Sequence, residues 1–350
     1  MIGVTVRVPA KLNLQLAVGP RRADGYHDLV TVFHAVSLFD EVTVASAGQD
    51  GVEVSGEGAD RIPGGQDNLA LRAVAALRSA MPDQEAGRAG VHVTILKRIP
   101  VAAGLAGGSA DAAAALVACN ELWDAGLSQG QLVEVAARVG SDVAFALLGG
   151  TAVGRGRGER LTPALAPATP YHWVLAFADG YLSTPEVYAA LDRLRAAEDG
   201  GAKGATGAKG ATGAKGATGP KGATGPKGAT GPKGSTGSAR SGAAEPDLDA
   251  ALMSALRSGE AKRVGRALSN DLQQAALSLF PPLRKTLAAG LELGVLGALV
   301  SGSGPTCVFL AASAERALDL AVSLSGAGVC RSVARVTGPV PGAAIVPAAK

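Results

Sequence analysis

Apolar and polar positions alternate in short stretches along this chain, and between them run Ala- and Leu-rich segments with helical spacing. Val4, Val6 and Val8 alternate with Thr5 and Arg7, and Val91, Val93 and Ile95 with His92 and Thr94, the period of a half-buried strand. The same reading predicts strands at 3–8, 30–36, 41–45, 51–55, 91–97, 173–178, 297–301, 306–311 and 331–336. Helical spacing predicts helices near 67–80, 109–124, 129–139, 142–148, 185–196, 248–257, 260–268, 281–293 and 313–326. Strands and helices mix without a long βαβαβ repetition, so the expected class is α+β, not a doubly wound sheet. Aromatic residues are few, so Ala, Val and Leu must fill the cores. A break between two lobes is expected near 161–169, a stretch rich in Pro and Ala.

One junction stands out. Between the strand 91–97 and the helix from 109 runs Pro100-Val101-Ala102-Ala103-Gly104-Leu105-Ala106-Gly107-Gly108-Ser109-Ala110. Its glycines let the backbone approach a ligand closely, and the following helix offers unpaired N–H groups and a positive dipole end. A nucleotide phosphate suits that environment; a flexible tight connection is the other reading. No Lys follows Gly108, which excludes a P-loop, and the glycine spacing is not that of a dinucleotide fingerprint.

Residues 201–237 carry Gly at every third position, with six Lys and no acid. Gly-X-Y is the collagen period. Here it is short, has proline in three triplets only, and interrupts a region of helices. A disordered low-complexity insert in a surface loop is therefore expected, leaving 1–165 as an N-terminal lobe and 166–200 with 238–340 as a C-terminal lobe. Without the six Lys, the 33 Lys and Arg fall to 27 against 30 Asp and Glu. The globular part is thus mildly acidic, and neither nucleic acid nor a membrane is an expected partner. Cys119, Cys307 and Cys330 are odd in number, lack C-x-x-C spacing and sit in apolar runs. Buried thiols in a cytoplasmic protein are expected, not disulfides or a metal site.

Further chemistry-bearing segments are Pro9-Ala10-Lys11-Leu12-Asn13, Asp24-Gly25-Tyr26-His27, Gly140-Ser141-Asp142-Val143 and Ser301-Gly302-Ser303-Gly304-Pro305. With the glycine loop, and in this order, they resemble the GHMP kinases, the family of galactokinase, homoserine kinase, mevalonate kinase and phosphomevalonate kinase. The match spans nearly all the chain outside the insert. Asp24-Gly25-Tyr26-His27 points to the branch whose substrate is a cytidine diphosphate-linked methylerythritol. The resemblance implies a two-lobed fold, with an N-terminal lobe like the second domain of ribosomal protein S5 and a ferredoxin-like C-terminal lobe. It implies transfer of the γ-phosphoryl of ATP to a hydroxyl of a small molecule, with Mg²⁺ accompanying ATP.

Residue by residue, it implies that Pro100 to Ala110 wrap the ATP phosphates, with Ser109 in reach of one. Asp142 becomes the base that accepts the alcohol proton, although an Asp there is also a good N-cap for the helix 142–148. Lys11 becomes its cationic partner; a solvated strand-end lysine is the plain alternative. Asn13, two residues on and on the same strand face, supports Lys11 or the substrate. Tyr26, His27 and Tyr188 are expected at the cytosine, His27 matching its polar edge and the tyrosines its faces; each is otherwise a partly buried aromatic. The Ser301–Pro305 loop is expected to support the phosphate loop. No metal ligand is assigned. Ala144 departs from the family, which usually has Pro there, but removes no functional group. A kinase for another small alcohol, or a collagen-like trimeric scaffold, are the competing readings.

Overall fold

The computed structural model describes residues 3–81, 90–165, 170–205 and 245–347. The interlobe stretch 166–169 and the Gly-X-Y tract beyond residue 205 lie outside them, while residues 201–205, expected to begin a disordered insert, instead continue a helix.

Two sheets organise the described residues, with helices packed on them, as α+β layers require. β1 (Val4–Arg21) and β2 (His27–Ala47) form a long antiparallel hairpin. β3 (Gly51–Gly56) pairs parallel with β4 (Gly90–Lys97), which pairs antiparallel with β2. Between β3 and β4 lies α1 (Leu69–Ser79). The helices α2 (Gly107–Leu122), α3 (Gln129–Val139) and α4 (Ser141–Leu148) follow. β5 (Thr151–Gly156) and β6 (Arg160–Pro163) then return as a hairpin on β2.

The second sheet begins with β7 (Tyr171–Phe177), from which the chain enters α5 (Thr184–Ala205). Past the undescribed residues come α6 (Ala250–Ser258) and α7 (Ala261–Ala267). The two-residue strand β8 (Ser269–Asn270) pairs with β1. α8 (Gln273–Leu279) and α9 (Pro282–Glu292) precede β9 (Gly297–Val300) and β10 (Thr306–Ala311). α10 (Ala314–Gly326) and β11 (Ser332–Gly338) complete the four-stranded antiparallel sheet, ordered β11-β7-β10-β9. Numbered along the chain that order is 4-1-3-2, the ferredoxin-like arrangement. β12 (Ala344–Ile345) returns to β1 in the first sheet.

The pattern misjudged the length of the first two strands. From Pro9 to Leu16 every residue is buried, because one face meets the core and the other a cleft, so no alternation survives. A proline there also reads as a strand end. The strands expected at 30–36 and 41–45 are one strand bent by a bulge: Pro9 pairs with Phe39 but Ala10 with Val36, leaving Ser37 and Leu38 unpaired. The bulge has a use. Ser37 Oγ accepts the backbone N–H of Thr337 on β11 at 2.8 Å, joining the two sheets. The hairpin β5–β6 was also missed, since Gly154, Gly156 and Gly158 suggest a turn. Gly154 is required where it stands, as a Cβ there would lie 2.8 Å from the Phe33 ring.

His34 is buried at the join of the two sheets, its Nδ1 2.9 Å from Thr151 Oγ1 and its ring beside Tyr171 and Trp173. Burial pushes it down to about 4, with the Gly338 backbone working against the shift. Its folded value lies below the unfolded one of about 6.5, so its stabilising contribution is present above pH 6.5 and lost as pH falls toward 4. Urea titrations of wild type and His34→Gln across that window are expected to show a difference in acid sensitivity of about 3 kcal/mol. Parallel curves would refute it.

Candidate active site

A cleft between the first sheet, the glycine loop, α5 and the loop joining β9 to β10 encloses about 610 Å³. β1 enters it carrying Lys11 and Asn13. Between Asn13 and Gln15 the strand bulges at Leu14, which has no partner on β2. Lys11 Nζ donates to Asn13 Oδ1 at 2.6 Å; Asn13 Nδ2 donates to Thr31 Oγ1 at 2.8 Å, and Thr31 Oγ1 to the Gln15 carbonyl at 2.7 Å. This relay fixes the lysine side chain. Lys11 is therefore a buried ammonium and not a solvated strand end; burial lowers its pKa, and Asp142 works against that.

Asp142 Oδ2 stands 4.0 Å from Lys11 Nζ. It lies in the first turn of α4, where the helix dipole favours its negative charge. Gly140 takes the N-cap position with no side-chain capping bond. Capping thus does not account for Asp142, whose carboxylate makes no hydrogen bond among the described residues. Ala144 sits fully buried in the same helix, which forms without a proline there.

The glycine loop wraps the opposite wall. Ala102, Gly104 and Ala106 have φ of 53°, 75° and 58°. A left-handed residue at every second position turns successive N–H groups toward one side, as in anion-binding nests, and two alanines held there mark stored backbone strain. The first helical bond of α2 runs from Ala110 N to the Ala106 carbonyl, so the N–H groups of Gly107, Gly108 and Ser109 have no partner within the helix. Pro100 to Gly104 and Ala106 to Ser109 line the cleft. Leu105 and Ala110 do not: their side chains are buried in the core, and Leu105 contributes its carbonyl, which accepts the Lys11 N–H at 3.2 Å.

The loop between β9 and β10 buttresses this wall. Ser301 Oγ donates to the Gly104 carbonyl at 3.1 Å, and a Cβ on Gly104 would meet the Ser301 carbonyl oxygen at 2.1 Å. Asn270 Nδ2 in turn holds the carbonyls of Val300 (2.7 Å) and Gly302 (2.8 Å). Lys11 is thus joined to the glycine loop through its backbone N–H, and the Ser301–Pro305 loop through the Ser301 hydroxyl.

The three aromatic residues expected at a base are only partly brought together. Tyr188 lines the cleft from α5; burial, then the nearby Asp142, raises its phenol pKa, so it stays neutral. His27 is buried behind it, ring centroids 5.1 Å apart, with Nε2 3.0 Å from Asp192 Oδ1. Tyr26 is 57 % exposed on the β1–β2 turn, its ring under the Arg157 guanidinium at 5.5 Å. Neither Tyr26 nor His27 lines the cleft, whereas Arg157 does. The sequence reading missed Arg157, Thr31, Arg61, Asn68 and Thr184 in this lining, and Lys97 and Asp111 as well. For Lys97 a signal existed: it continues the alternation of Val91, Val93 and Ile95, which places it on the core face.

The tract starts away from this site. Tyr188 and Gly201, the first residue of the tract, lie on one helix, so about 20 Å of α5 separates them along its axis. On the far side of the tract in sequence, the Asp247 carbonyl accepts Gln15 Nε2 at 2.7 Å.

A two-lobed α+β fold with a glycine-rich anion loop facing a lysine–aspartate pair defines a small-molecule kinase. Patterns described as GHMP kinases N terminal domain and GHMP kinases C terminal match residues 68–150 and 252–330. Two proteins named 4-diphosphocytidyl-2-C-methyl-D-erythritol kinase are similar over nearly the whole chain. That of Thermobifida fusca is 49% identical over 98% of this chain and 98% of its own. That of Mycolicibacterium smegmatis is 50% identical over 99% and 93%. The crystal structure of a 4-(cytidine 5'-diphospho)-2C-methyl-D-erythritol kinase superposes with TM-score 0.65 at 32% identity, covering 95% of this chain and 98% of that one. A homoserine kinase from Cytophaga hutchinsonii, 18% identical with TM-score 0.67 over 98% and 97%, shares the fold. The chain belongs to the GHMP kinases, in the family of the 4-diphosphocytidyl-2-C-methyl-D-erythritol kinases.

Proposed function

We propose that the chain uses ATP to phosphorylate the 2-hydroxyl of 4-diphosphocytidyl-2-C-methyl-D-erythritol, a step in the non-mevalonate route to isoprenoid precursors. The observation that carries the mechanism is the Lys11–Asp142 pair, 4.0 Å apart, facing a loop with unpaired N–H groups. Those groups bind the phosphates of ATP. Asp142 accepts the hydroxyl proton as the oxygen–phosphorus bond forms; the bond from the γ-phosphorus to its bridging oxygen breaks, and ADP leaves. Lys11 neutralises the charge developing between them. Tyr188 and His27, with Tyr26 moving in from the turn, are the proposed contacts to cytosine.

Magnesium is the expected companion of ATP. Among the described residues no group of three or more His, Cys, Asp or Glu side chains is arranged to hold a metal ion. No helix among them is long and apolar enough to cross a membrane. We place the reaction in the cytoplasm, where ATP is available, and retain the lobes 1–165 and 166–200 with 238–340, interrupted by the 201–237 tract, as the domain reading.

The test is ADP release with ATP, Mg²⁺ and each of three alcohols: the cytidine diphosphate-linked methylerythritol, homoserine and mevalonate. Turnover with the first alone is expected. Turnover with another alcohol, or with none, overturns the substrate assignment.

A further inference from the structure

Behind the phosphate loop lies a group of three charges that the mechanism above does not use. β2 supplies Asp40, β4 ends in Lys97, and the start of α2 supplies Asp111; their side chains are 0, 1 and 4% exposed. Lys97 Nζ donates to Asp111 Oδ2 at 2.7 Å and also to Asp40 Oδ2. Asp40 Oδ1 accepts the backbone N–H groups of Arg98 (2.6 Å) and Ile99 (2.8 Å). Asp111 Oδ1 is buried with no hydrogen-bond partner among the described residues. The carboxylates are therefore unequal: Asp40 is fully met by donors, whereas Asp111 has Lys97 as its one donor, with the Asp40 carboxylate close enough to share its proton.

The position matters as much as the pairing. Lys97 Nζ lies 3.0 Å from where a Cβ on Gly107 would stand, immediately behind the first residue of α2. Lys97 and Asp111 both border the cleft. Residues 98–99, where the loop begins, and 107–111, where it becomes a helix, are thus tied to one cation. The charged groups facing Asp111 are Lys97 from β4 and Asp40 from β2. With both carboxylates ionised, this seat carries one net negative charge next to bound phosphates. With a proton on Asp111 it is neutral.

We propose that Lys97, Asp40 and Asp111 are positioning residues for the phosphate loop, and that the charge they sum to sets the affinity for ATP. The neutral seat admits the triphosphate and the anionic seat repels it. The inference rests on the loop being the ATP site, as proposed above, but not on the identity of the alcohol. Burial supports it by pushing the Asp111 carboxyl up to about 8, against the pull of Lys97 and with a further push from Asp40.

The experiment measures ATP binding by calorimetry without acceptor alcohol, from pH 6.5 to 9, for wild type and Asp111→Asn. Asparagine keeps an oxygen for Lys97 and cannot ionise. Wild-type affinity is expected to weaken on the order of five-fold between pH 7 and 9, the size of one unit charge acting through a partly solvated site. The variant is expected to stay flat near the wild-type value at low pH. Ionisation of ATP itself is common to both proteins and cancels in the comparison. Stability gives a second readout. Because the folded value is raised, Asp111 stabilises the fold below about pH 4 and loses that contribution as pH rises through about 8. Asp111→Asn should therefore melt higher than wild type at pH 8, with a gain that shrinks toward pH 4. Lys97→Met, if it folds, should weaken ATP binding at least roughly ten-fold, as for a lost buried cation; if it does not fold, the asparagine comparison decides. A purely structural seat would change melting but leave the two binding profiles parallel, and parallel profiles overturn the proposal. Wild type that binds no ATP at any pH removes instead the reading beneath it.

Discussion

Asp142→Asn is expected to lower kcat on the order of 10³-fold, the loss for removing a positioned base, while ATP binds nearly as in wild type. The substitution preserves shape and removes only the carboxylate that faces Lys11. Asp142 caps nothing and makes no hydrogen bond among the described residues, so its loss should cost the fold only the charge that faces Lys11. A second consequence follows from the electrostatics. Burial lowers the Lys11 pKa and Asp142 alone is the charge opposing it. Without Asp142 the lysine loses its proton at lower pH, so the alkaline limb of the residual pH–rate profile should move to lower pH. Single-turnover kinetics and a pH series settle both points. Unchanged kcat would return Asp142 to the ordinary duties of a helix-start aspartate.

Lys11→Met is expected to cost about 10²- to 10³-fold in kcat, the range for removing one preorganised donor from developing negative charge. Its effect on stability should be small. The substitution removes a buried ammonium, which offsets the Asn13 oxygen left without a donor, a loss of about 1 kcal/mol. Activity and stability are thus expected to part company, as they would not at a lysine that merely braces the cleft. If the two residues act as a unit, Lys11→Met/Asp142→Asn should be scarcely slower than either single variant. Multiplying losses would show that they act independently.

Much of the architecture was legible because its elements obey local rules. β4 alternates over its whole length, and α3 opens with a Ser128–Gln131 capping box. The glycine loop was readable because small residues at a strand-to-helix junction leave backbone N–H groups open to an anion. Less legible was whatever depended on a second surface. β1 lost its alternation because it is covered on both faces, and β5–β6 is rich in glycine to admit Phe33. Asp111 directly follows the glycine loop, yet an aspartate among alanines carries no sign that a lysine from another strand waits for it. Of the aromatic residues, Tyr188 faces the cleft, whereas His27 stands behind it and Tyr26 remains on the rim.

The sequence by itself determined the periodicities and the glycine-rich strand-to-helix junction, because these are short-range requirements of the backbone; Lys11 and Asp142 were singled out by the resemblance to the GHMP kinases. Only the tertiary structure decided that Lys11 and Asp142 meet across 131 positions of chain. It alone decided that the Ser301–Pro305 loop seats the glycine loop and that Lys97 is buried between two carboxylates. Those outcomes depend on which surfaces pack together. Distant packing sets the dielectric and the neighbours of each charge, and no local pattern encodes either.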